Sequence, residues 1–455
     1  MSGAKGSLHF AQALMPDGWR KDVRVAWREG VIASVEPGAA PSPGEPHAAI
    51  GLTGLVNLHS HAFQRAFAGL AERRGPGDDN FWTWREAMYR FGLKMSPEQA
   101  EAVAAQAYAE MLESGFTRVA EFHYLHHAPD GRPYGDIAEM SARIAAAAER
   151  TGIGLTLLPV FYAHADFGGA PPKPGQRRFI CGIDAYARLV ERARAIVAPI
   201  EGANLGLAPH SLRAATLEEV GQVVALAGPA PIHIHVAEQT GEVEASLRWG
   251  GKRPVEILLD NFDVDPRWCL IHATHMTPDE TRRVALSGAT AGLCAITEAN
   301  LGDGVFDAPE FLGHGGLFGI GTDSNVQIDA AGELRQLEYA QRLARRARNV
   351  IAAPGGSTGR ALFDGALAGG AAATGQGPAG LIVGAPADIV TLREDALALV
   401  GRDGDALLDG WIFSGAACVD AVYARGRRVV RDGAHRERQA IGTRFRAAML
   451  ELLAL

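Results

Sequence analysis

Cysteine is scarce in this sequence. Four cysteines occur among 455 residues, and no two of them stand at the C-x-x-C spacing of redox and metal motifs. Cys269 and Cys294 lie inside apolar runs, where a buried thiol is the usual state. The scarcity argues against a disulfide-stapled scaffold and favours a reducing, cytoplasmic compartment.

Long apolar runs and basic runs are also missing. No stretch reaches the roughly 18 apolar residues of a membrane span, and the N-terminus MSGAKGSLHFAQALMPDGW has no basic segment followed by an apolar core and a cleavage site. The net charge is -8, so nucleic acid and anionic membranes are poor partners. We expect a soluble cytoplasmic protein whose partner is a small-molecule substrate.

The composition is that of a globular protein, with 47% hydrophobic and 21% charged residues. Residues 7–53 have the pattern of short strands joined by tight turns, including a hairpin at Arg28-Glu29-Gly30. ADIVTLRED and ACVDAVYARGRRVVRDG repeat this pattern near the C-terminus, before a helical stretch around Thr443 to Leu455. The termini, residues 1–53 and 385–455, are therefore predicted to form one small β-sandwich domain around an inserted domain, residues 54–384.

The inserted part alternates apolar runs with amphipathic helical patterns, as in a parallel sheet built from strand-helix units. Eight candidate strands follow one another: LVNLHSHA, TRVAEFHYL, IGLTLLPVF, NLGLAPH, PIHIHVAE, WCLIHATH, ATAGLCAI and LFGIGTDSN. Eight is the strand number of a TIM-like barrel, so we predict an α/β fold with a (β/α)8 barrel. A doubly wound open sheet is the alternative, but it would not bring strands one and eight together.

Helix signals fill most gaps between these strands. The helix after strand one has Ser96 as N-cap, Pro97 at its first position and Gly115 as its stop. Further helices are predicted at residues 136–150, 184–197, 217–226, 278–286 and 333–348.

Polar side chains collect where the predicted strands end. In a barrel the chemistry lies at the C-terminal ends of the strands. The residues at these ends are, in order, His59 and His61, His123 and Tyr124, His210, His235 and Glu238, His272, and Asp323.

Four of these residues suit a metal ion. His59 and His61 alternate within a strand, so both imidazoles leave the same face. A histidine on strand five and Asp323 on strand eight complete a set that fits Zn²⁺ and leaves one position for water. On strand five we prefer His235 because it is nearer the strand's C-terminal end, and we expect His233 to be a buried structural histidine.

This pattern resembles the amidohydrolase superfamily over essentially the whole chain, including the split small domain. Two-metal members usually bridge their metals with a modified lysine on strand four. NLGLAPHSLR has no lysine, so the resemblance implies one metal per chain, taken to be zinc, with iron or manganese as alternatives. Glu238 stands three residues after His235, a spacing similar to that of the deaminase branch.

The expected chemistry needs a nucleophile, a base and an acid. A divalent metal lowers the pKa of a bound water to roughly 7. Asp323 can accept the proton of the water, and Glu238 can deliver a proton to the leaving nitrogen of the substrate. His272 would hydrogen-bond the water or the tetrahedral intermediate.

Two arginines near strand ends indicate the kind of substrate. Arg85 lies in DNFWTWREAMYR after strand one, and Arg213 lies in APHSLR after strand four. Guanidinium groups bind carboxylates with two parallel hydrogen bonds, so the pair suggests a dicarboxylate.

Longer motifs narrow the resemblance. HSHAFQRAFAGLAE, DDNFWTWREAMYR, EFHYLHH, HIHVAEQTGEVEAS, GKRPVEILLDN and TEANLGDGVF resemble the formimidoylglutamate deiminase family of histidine degradation. Its members convert N-formimino-L-glutamate to N-formyl-L-glutamate and ammonia. The resemblance implies this activity, a homodimer, and substrate contacts at Gln64, Arg85, Tyr124, His210 and Arg213. Small departures, such as Thr322 before Asp323, touch no proposed ligand.

Two alternatives remain open. A related hydrolase could act on N-formimino-aspartate or on an aromatic base, and the arginine pair discriminates against the aromatic base. A non-catalytic barrel with a vestigial metal site is the alternative of another class, and the complete ligand set with Glu238 argues against it. The remaining histidines of the barrel segment that follow strand ends or lie among glycines are interpreted as loop packing: His126, His127, His275 and His314.

Overall fold

The computed structural model describes residues 5–77, 79–415 and 417–454, and its centre is a closed parallel barrel. The N-terminal strands are β1 (Gly6–Met15), β2 (Gly18–Arg28), β3 (Val31–Glu36) and β4 (His47–Thr53). The barrel strands are β5 (Leu55–Ser60), β6 (Phe116–His123), β7 (Gly154–Phe161), β8 (Ala203–Leu205), β9 (Ala208–Pro209), β10 (Ile232–Val236), β11 (Trp268–His272), β12 (Thr290–Leu293) and β13 (Leu317–Ile320). The C-terminal strands are β14 (Ile389–Leu392), β15 (Val419–Ala424), β16 (Arg427–Arg431) and β17 (Ala434–His435).

Helices connect and cover these strands. They are α1 (Phe81–Gly92), α2 (Pro97–Ser114), α3 (Glu139–Thr151), α4 (Ile183–Val197), α5 (Leu217–Ala227), α6 (Thr240–Gly250), α7 (Pro254–Asn261), α8 (Pro278–Ser287), α9 (Ala295–Leu301), α10 (Ala308–Gly313), α11 (Ala330–Arg345), α12 (Thr358–Ala373), α13 (Asp405–Ser414) and α14 (Arg438–Ala454). In the part of the chain that is described, none of these helices is long and apolar enough to cross a membrane.

The predicted barrel is confirmed, and each of its eight predicted strands is present. The parallel order runs β10-β11-β12-β13-β5-β6-β7-β8, so the eighth strand pairs with the first and the doubly wound alternative is wrong. Strand four is interrupted, with β8 and β9 both paired to β7. Leu207, between them, pairs with Ile232 of β10 and closes the barrel.

Local signals account for the first long helix. The Ser96 hydroxyl accepts a hydrogen bond from the Gln99 amide, and the Gln99 side chain accepts one from the Ser96 amide, which forms a capping box. The helix α2 ends at Gly115, whose φ of 106° is easy only for glycine. The start and stop predicted for this helix are confirmed.

The two termini form one eight-stranded sheet in the order β17-β16-β15-β14-β4-β1-β2-β3. Its N- and C-terminal halves join where β14 runs antiparallel to β4. The predicted hairpin between β2 and β3 is confirmed, with Glu29 at φ 54° and Gly30 at φ 75°, as a two-residue turn requires. The division into residues 1–53, 54–384 and 385–455 stays a prediction.

Helix α12 was not among the predicted helices. Its sequence, TGRALFDGALAGGAAA, consists largely of small residues and lacks a strong apolar stripe. Alanine and glycine let it lie directly on β13 and on β5, the strand that carries His59 and leads into His61, the first two predicted metal ligands. The helix predicted at 333–348 is α11, three residues earlier, and the one predicted at 136–150 is α3, which begins at Glu139.

Candidate metal centre and active site

The barrel brings the four predicted metal ligands together at one end. One ligand atom from each of His59, His61, His235 and Asp323 lies within 4.8 Å of the others, and all four residues are buried. Asp323 Oδ1 is 3.3 Å from His59 Nε2 and 3.2 Å from His61 Nε2. The Nε2 atoms of His59 and His235 are 3.1 Å apart. Three imidazoles and a carboxylate that converge in this way form the donor set of a catalytic divalent-metal site.

The protonation states suit a cation. Burial lowers the pKa of His59 to about 3, and burial together with the neighbouring imidazoles places the pKa of His235 well below its usual value. Burial alone would raise the pKa of Asp323, but its contacts with His59 and His61 outweigh this effect and hold it well below its usual range. Neutral imidazoles and an ionised carboxylate offer lone pairs to a metal, so these residues fit one.

The far side of two imidazoles is fixed by backbone carbonyls. His61 Nδ1 lies 2.9 Å from the Phe122 carbonyl oxygen, and His235 Nδ1 lies 3.1 Å from the His210 carbonyl oxygen. A proton on each Nδ1 completes these hydrogen bonds and leaves Nε2 free to bind a metal.

Asp323 is held by a buried network that was not predicted. The residue adopts a backbone φ of 44°, which is unusual for any residue other than glycine. Asn325 Nδ2 lies 3.1 Å from each of three oxygens, those of the Ser60 hydroxyl and of the His61 and Asp323 carbonyls. Asn325 Oδ1 in turn accepts a hydrogen bond from the Thr322 hydroxyl at 2.6 Å. The network ties the loop after β13 to strand β5 and so fixes the ligand geometry.

The predicted catalytic residues surround this centre. His272 is the last residue of β11, and its Nε2 is 3.8 Å from Glu238 Oε1 and 3.9 Å from Asp323 Oδ2. Its Nδ1 is 3.2 Å from Glu298 Oε1, a contact that orients the ring. Burial opposes a charge on His272, but Glu238, Glu298 and Asp323 together raise its pKa to about 10. Burial also raises the pKa of Glu238, although the charges of His272 and Arg213 act in the opposite direction.

A cavity opens beside the centre. It is lined by the metal-site residues His61, His235 and Asp323, by Glu238, and by all five predicted substrate contacts: Gln64, Arg85, Tyr124, His210 and Arg213. Gln64 Nε2 donates to the Tyr124 hydroxyl at 2.7 Å. The guanidinium of Arg85 lies over the Trp82 ring, 4.5 Å from its centroid.

Arg213 has two buried carboxylate neighbours that were not predicted from the sequence. Its terminal nitrogen is 3.7 Å from Glu238 Oε2, and its Nε is 3.9 Å from Glu242 Oε1. The guanidinium therefore stands between two buried carboxylates as well as at the cavity wall.

An apolar and phenolic wall of the cavity was also not predicted. Helix α1, which carries Arg85, contributes Phe81, Trp84, Met88 and Tyr89 to it. The signal was present in FWTWREAMYR, where aromatic residues recur at helical spacing around the arginine. Tyr162 and Phe179 complete the wall from other segments.

Four of the five histidines interpreted as structural contact backbone carbonyls. His233 is fully buried and its Nε2 is 2.7 Å from the Ala373 carbonyl oxygen. His126, His127 and His275 each point Nε2 at a backbone carbonyl, whereas His314 contacts Glu310. None of these five belongs to the metal-binding group found among the described residues.

Comparisons with known proteins agree with this geometry. The sequence profile of the Amidohydrolase family matches residues 51–429, and the profile "Formimidoylglutamate deiminase HutF, N-terminal domain" matches residues 7–48. A formimidoylglutamate deiminase of Pseudomonas aeruginosa is 50% identical over 98% of this chain and 100% of that protein.

Two of the solved structures that are similar to the chain differ widely in sequence identity. The crystal structure of an amidohydrolase from Brucella melitensis superposes with a TM-score of 0.96 and 57% identity, over 98% of this chain and 100% of that one. An adenosine deaminase from Xanthomonas campestris with bound zinc superposes with a TM-score of 0.82 over 100% of both chains, and its 20% identity bears on the fold alone.

Proposed function

Since this chain belongs to the formimidoylglutamate deiminases of the amidohydrolase family, it is a hydrolase of C–N bonds, and we propose that its substrate is N-formimino-L-glutamate. The products are N-formyl-L-glutamate and ammonia, as in histidine degradation. The proposal rests on one observation. Arg85 and Arg213 line the same cavity as the metal-binding residues.

We further propose that the metal is a single zinc ion held by His59, His61, His235 and Asp323. Three imidazoles and one carboxylate are a typical zinc donor set, although iron and manganese accept the same residues. When bound there, a divalent cation supplies hydroxide from water at neutral pH. Metal analysis of the purified protein by mass spectrometry identifies the ion and its stoichiometry.

The surrounding residues have the positions for the proton transfers. Asp323 Oδ2 is the carboxylate oxygen away from His59 and His61, and it can accept the proton of a water that attacks the formimino carbon. Glu238 donates its proton to the terminal nitrogen, and the proton that Asp323 took from water follows it, so that the C–N bond breaks with ammonia as the leaving group. The hydroxyl of the tetrahedral intermediate gives its own proton to the Glu238 carboxylate as it becomes the formyl oxygen. His272, beside both carboxylates, hydrogen-bonds the oxygen that becomes the formyl oxygen.

The two arginines are proposed to bind the two carboxylates of the substrate. A carboxylate taken out of water needs strong partners, and charge-assisted hydrogen bonds to guanidinium contribute roughly 1.5–3 kcal/mol each. Gln64 and Tyr124, joined by their own hydrogen bond, are neutral donors beside them.

The test is steady-state kinetics of ammonia release. We expect activity on N-formimino-L-glutamate in preference to N-formimino-L-aspartate, guanine and adenosine. Arg85→Met and Arg213→Met should each lower kcat/KM by about one to two powers of ten without loss of metal. Arg90→Met, an exposed arginine on the same helix as Arg85, is the control and should behave as wild type.

The side-chain amide analogue of the substrate completes this test. If the preference for the acid over this amide survives both arginine substitutions, these arginines do not bind the carboxylates.

We also propose that the protein is a cytoplasmic homodimer, with no role in binding nucleic acid or membranes. All four cysteines are buried and unpaired, which supports a reducing compartment. The dimer rests on the family resemblance, and light scattering of the purified protein measures it.

A further inference from the structure

Glu242 is a buried carboxylate behind the proposed general acid. It lies in the first turn of α6, the helix that follows strand β10 and its ligand His235. Only 1% of the residue is exposed, so water cannot stabilise its charge and protein groups must do so.

One carboxylate oxygen of Glu242 holds the backbone of Glu238. Glu242 Oε2 accepts a hydrogen bond from the Glu238 amide at 3.1 Å. This bond is made immediately after Ala237, which adopts a φ of 51°, at the point where the chain turns out of β10. The position of the Glu238 side chain therefore depends on Glu242.

The other carboxylate oxygen faces the substrate-binding arginine. Glu242 Oε1 and Arg213 Nε are 3.9 Å apart, and neither atom has a hydrogen-bond partner within the described residues. At this distance the two charges attract without a hydrogen bond to lock them. The guanidinium is thus held by charge at its Nε side, while one terminal nitrogen lies 3.7 Å from Glu238 Oε2 and the residue lines the cavity.

We propose that Glu242 is a positioning residue that aims Arg213 at a substrate carboxylate and, through the same side chain, fixes the backbone of Glu238. This inference rests on the proposed function, because it assigns Arg213 to the dicarboxylate substrate. One buried side chain would then position both Arg213, which binds the carboxylate, and Glu238, which donates the proton. Glu242 itself is not among the residues that line the cavity.

A double-mutant cycle tests this role. Glu242→Gln keeps an oxygen to accept from the Glu238 amide and removes the charge beside Arg213. We expect KM for N-formimino-L-glutamate to rise about tenfold while kcat changes less than about threefold, with the metal content of the wild type. In an Arg213→Met background the same substitution should change KM by less than about twofold, since Arg213 is the group through which Glu242 acts.

Two further variants complement the double-mutant cycle. Glu242→Asp restores the charge on a shorter side chain, so its KM should lie between those of the wild type and of Glu242→Gln. If Glu242→Gln does not fold, this variant still tests the role of Glu242. Glu244→Gln, on the exposed face of the same helix, should match the wild type.

The outcomes separate this role from the proposed function. Equal effects of Glu242→Gln with and without Arg213, or an unchanged KM, overturn the positioning role while an active wild type leaves the proposed function intact. A wild type that releases no ammonia from N-formimino-L-glutamate overturns both.

Discussion

Glu238 is the residue on which turnover should depend most directly. Its carboxyl group lies near His272 and Arg213, beside the metal-binding residues, and we propose that it carries the proton that the leaving nitrogen needs. Glu238→Gln preserves the shape of the side chain and removes that proton. We expect kcat to fall by the ~10²–10⁴ that general acid-base catalysis supplies, with metal content and KM largely retained. Near-normal kcat in this variant would exclude Glu238 as the proton donor, and Glu244→Gln serves as its control.

His235 and His233 share a strand and a face but have different partners. His235 Nε2 is 3.1 Å from His59 Nε2 in the metal-binding group, whereas His233 Nε2 meets a backbone carbonyl. We predict that His235→Ala loses both metal and activity. His233→Ala should keep the metal and lose about 1–3 kcal/mol of stability, because it leaves the Ala373 carbonyl unpaired.

Metal analysis and thermal unfolding of both variants distinguish the two histidines. A full metal content in His235→Ala together with an empty His233→Ala would show that the ligand was placed at the wrong position of the strand.

Helix α12 depends on glycine because it lies directly on the barrel wall. A Cβ added at Gly369 would stand 1.9 Å from the Phe318 carbonyl oxygen and 2.7 Å from the Gly319 nitrogen, and neither backbone atom can move away cheaply. Gly369→Ala should therefore lower the free energy of unfolding by about 3 kcal/mol, near the upper end for overpacking.

A second mid-helix glycine provides the matched control. The Cβ of an alanine at Gly221 in α5 would find Phe262 at 3.9 Å, an ordinary contact. Gly221→Ala should be neutral or stabilising by up to about 1 kcal/mol, because alanine favours the helix. Urea unfolding compares the two, and equal midpoints would mean that α12 does not pack on β13 as described.

Helix α1 joins binding and enclosure in one element. It presents Arg85, the proposed carboxylate partner, to the cavity together with four apolar or phenolic side chains, so one helix supplies both that partner and part of the enclosing wall. Enclosure strengthens each charge-assisted hydrogen bond that the substrate makes, because the local dielectric falls.

The whole molecule should be sensitive to acid because several histidines are buried and neutral. Burial lowers the pKa of His126 from its ordinary 6.5 to about 3, although its contact with the Val160 carbonyl acts in the opposite direction. Between these two values the unfolded chain binds a proton that the folded chain does not. The free energy of unfolding therefore falls as pH decreases below about 6.5, by about 1 kcal/mol at pH ~5.5 for this residue alone.

Thermal unfolding at about pH 7.5 and about pH 5.5 tests this expectation. His126→Gln keeps a donor for the Val160 carbonyl and should show a smaller loss of Tm between the two pH values than the wild type. His314→Gln replaces a partly exposed histidine and should retain the full loss. An unchanged pH dependence in His126→Gln would refute the assignment.

Much of the architecture followed from patterns that are local in the sequence. Buried apolar runs, helix caps and turn residues act within a few positions, so eight strands, the helix α2 and the β2–β3 hairpin could be predicted from the sequence alone. The metal ligands could be predicted for the same reason, since a barrel gathers the ends of its strands whatever the details of packing. His59, His61, His235 and Asp323 each stand at or near such an end.

Only the tertiary structure decided how these residues are held and what faces them. Asn325 and Ser60 are 265 positions apart, yet their hydrogen bond helps to fix the strained backbone of Asp323. Arg213 was predicted as a carboxylate partner, but its approach to Glu242 and Glu238 depends on how the segment after β9 packs against the turn after β10 and the start of helix α6. The sequence of helix α12 shows no apolar periodicity. Its residues are small because the helix lies directly on the strands beneath it. Local patterns specify which elements form, whereas side-chain distances between remote segments arise only when the barrel closes.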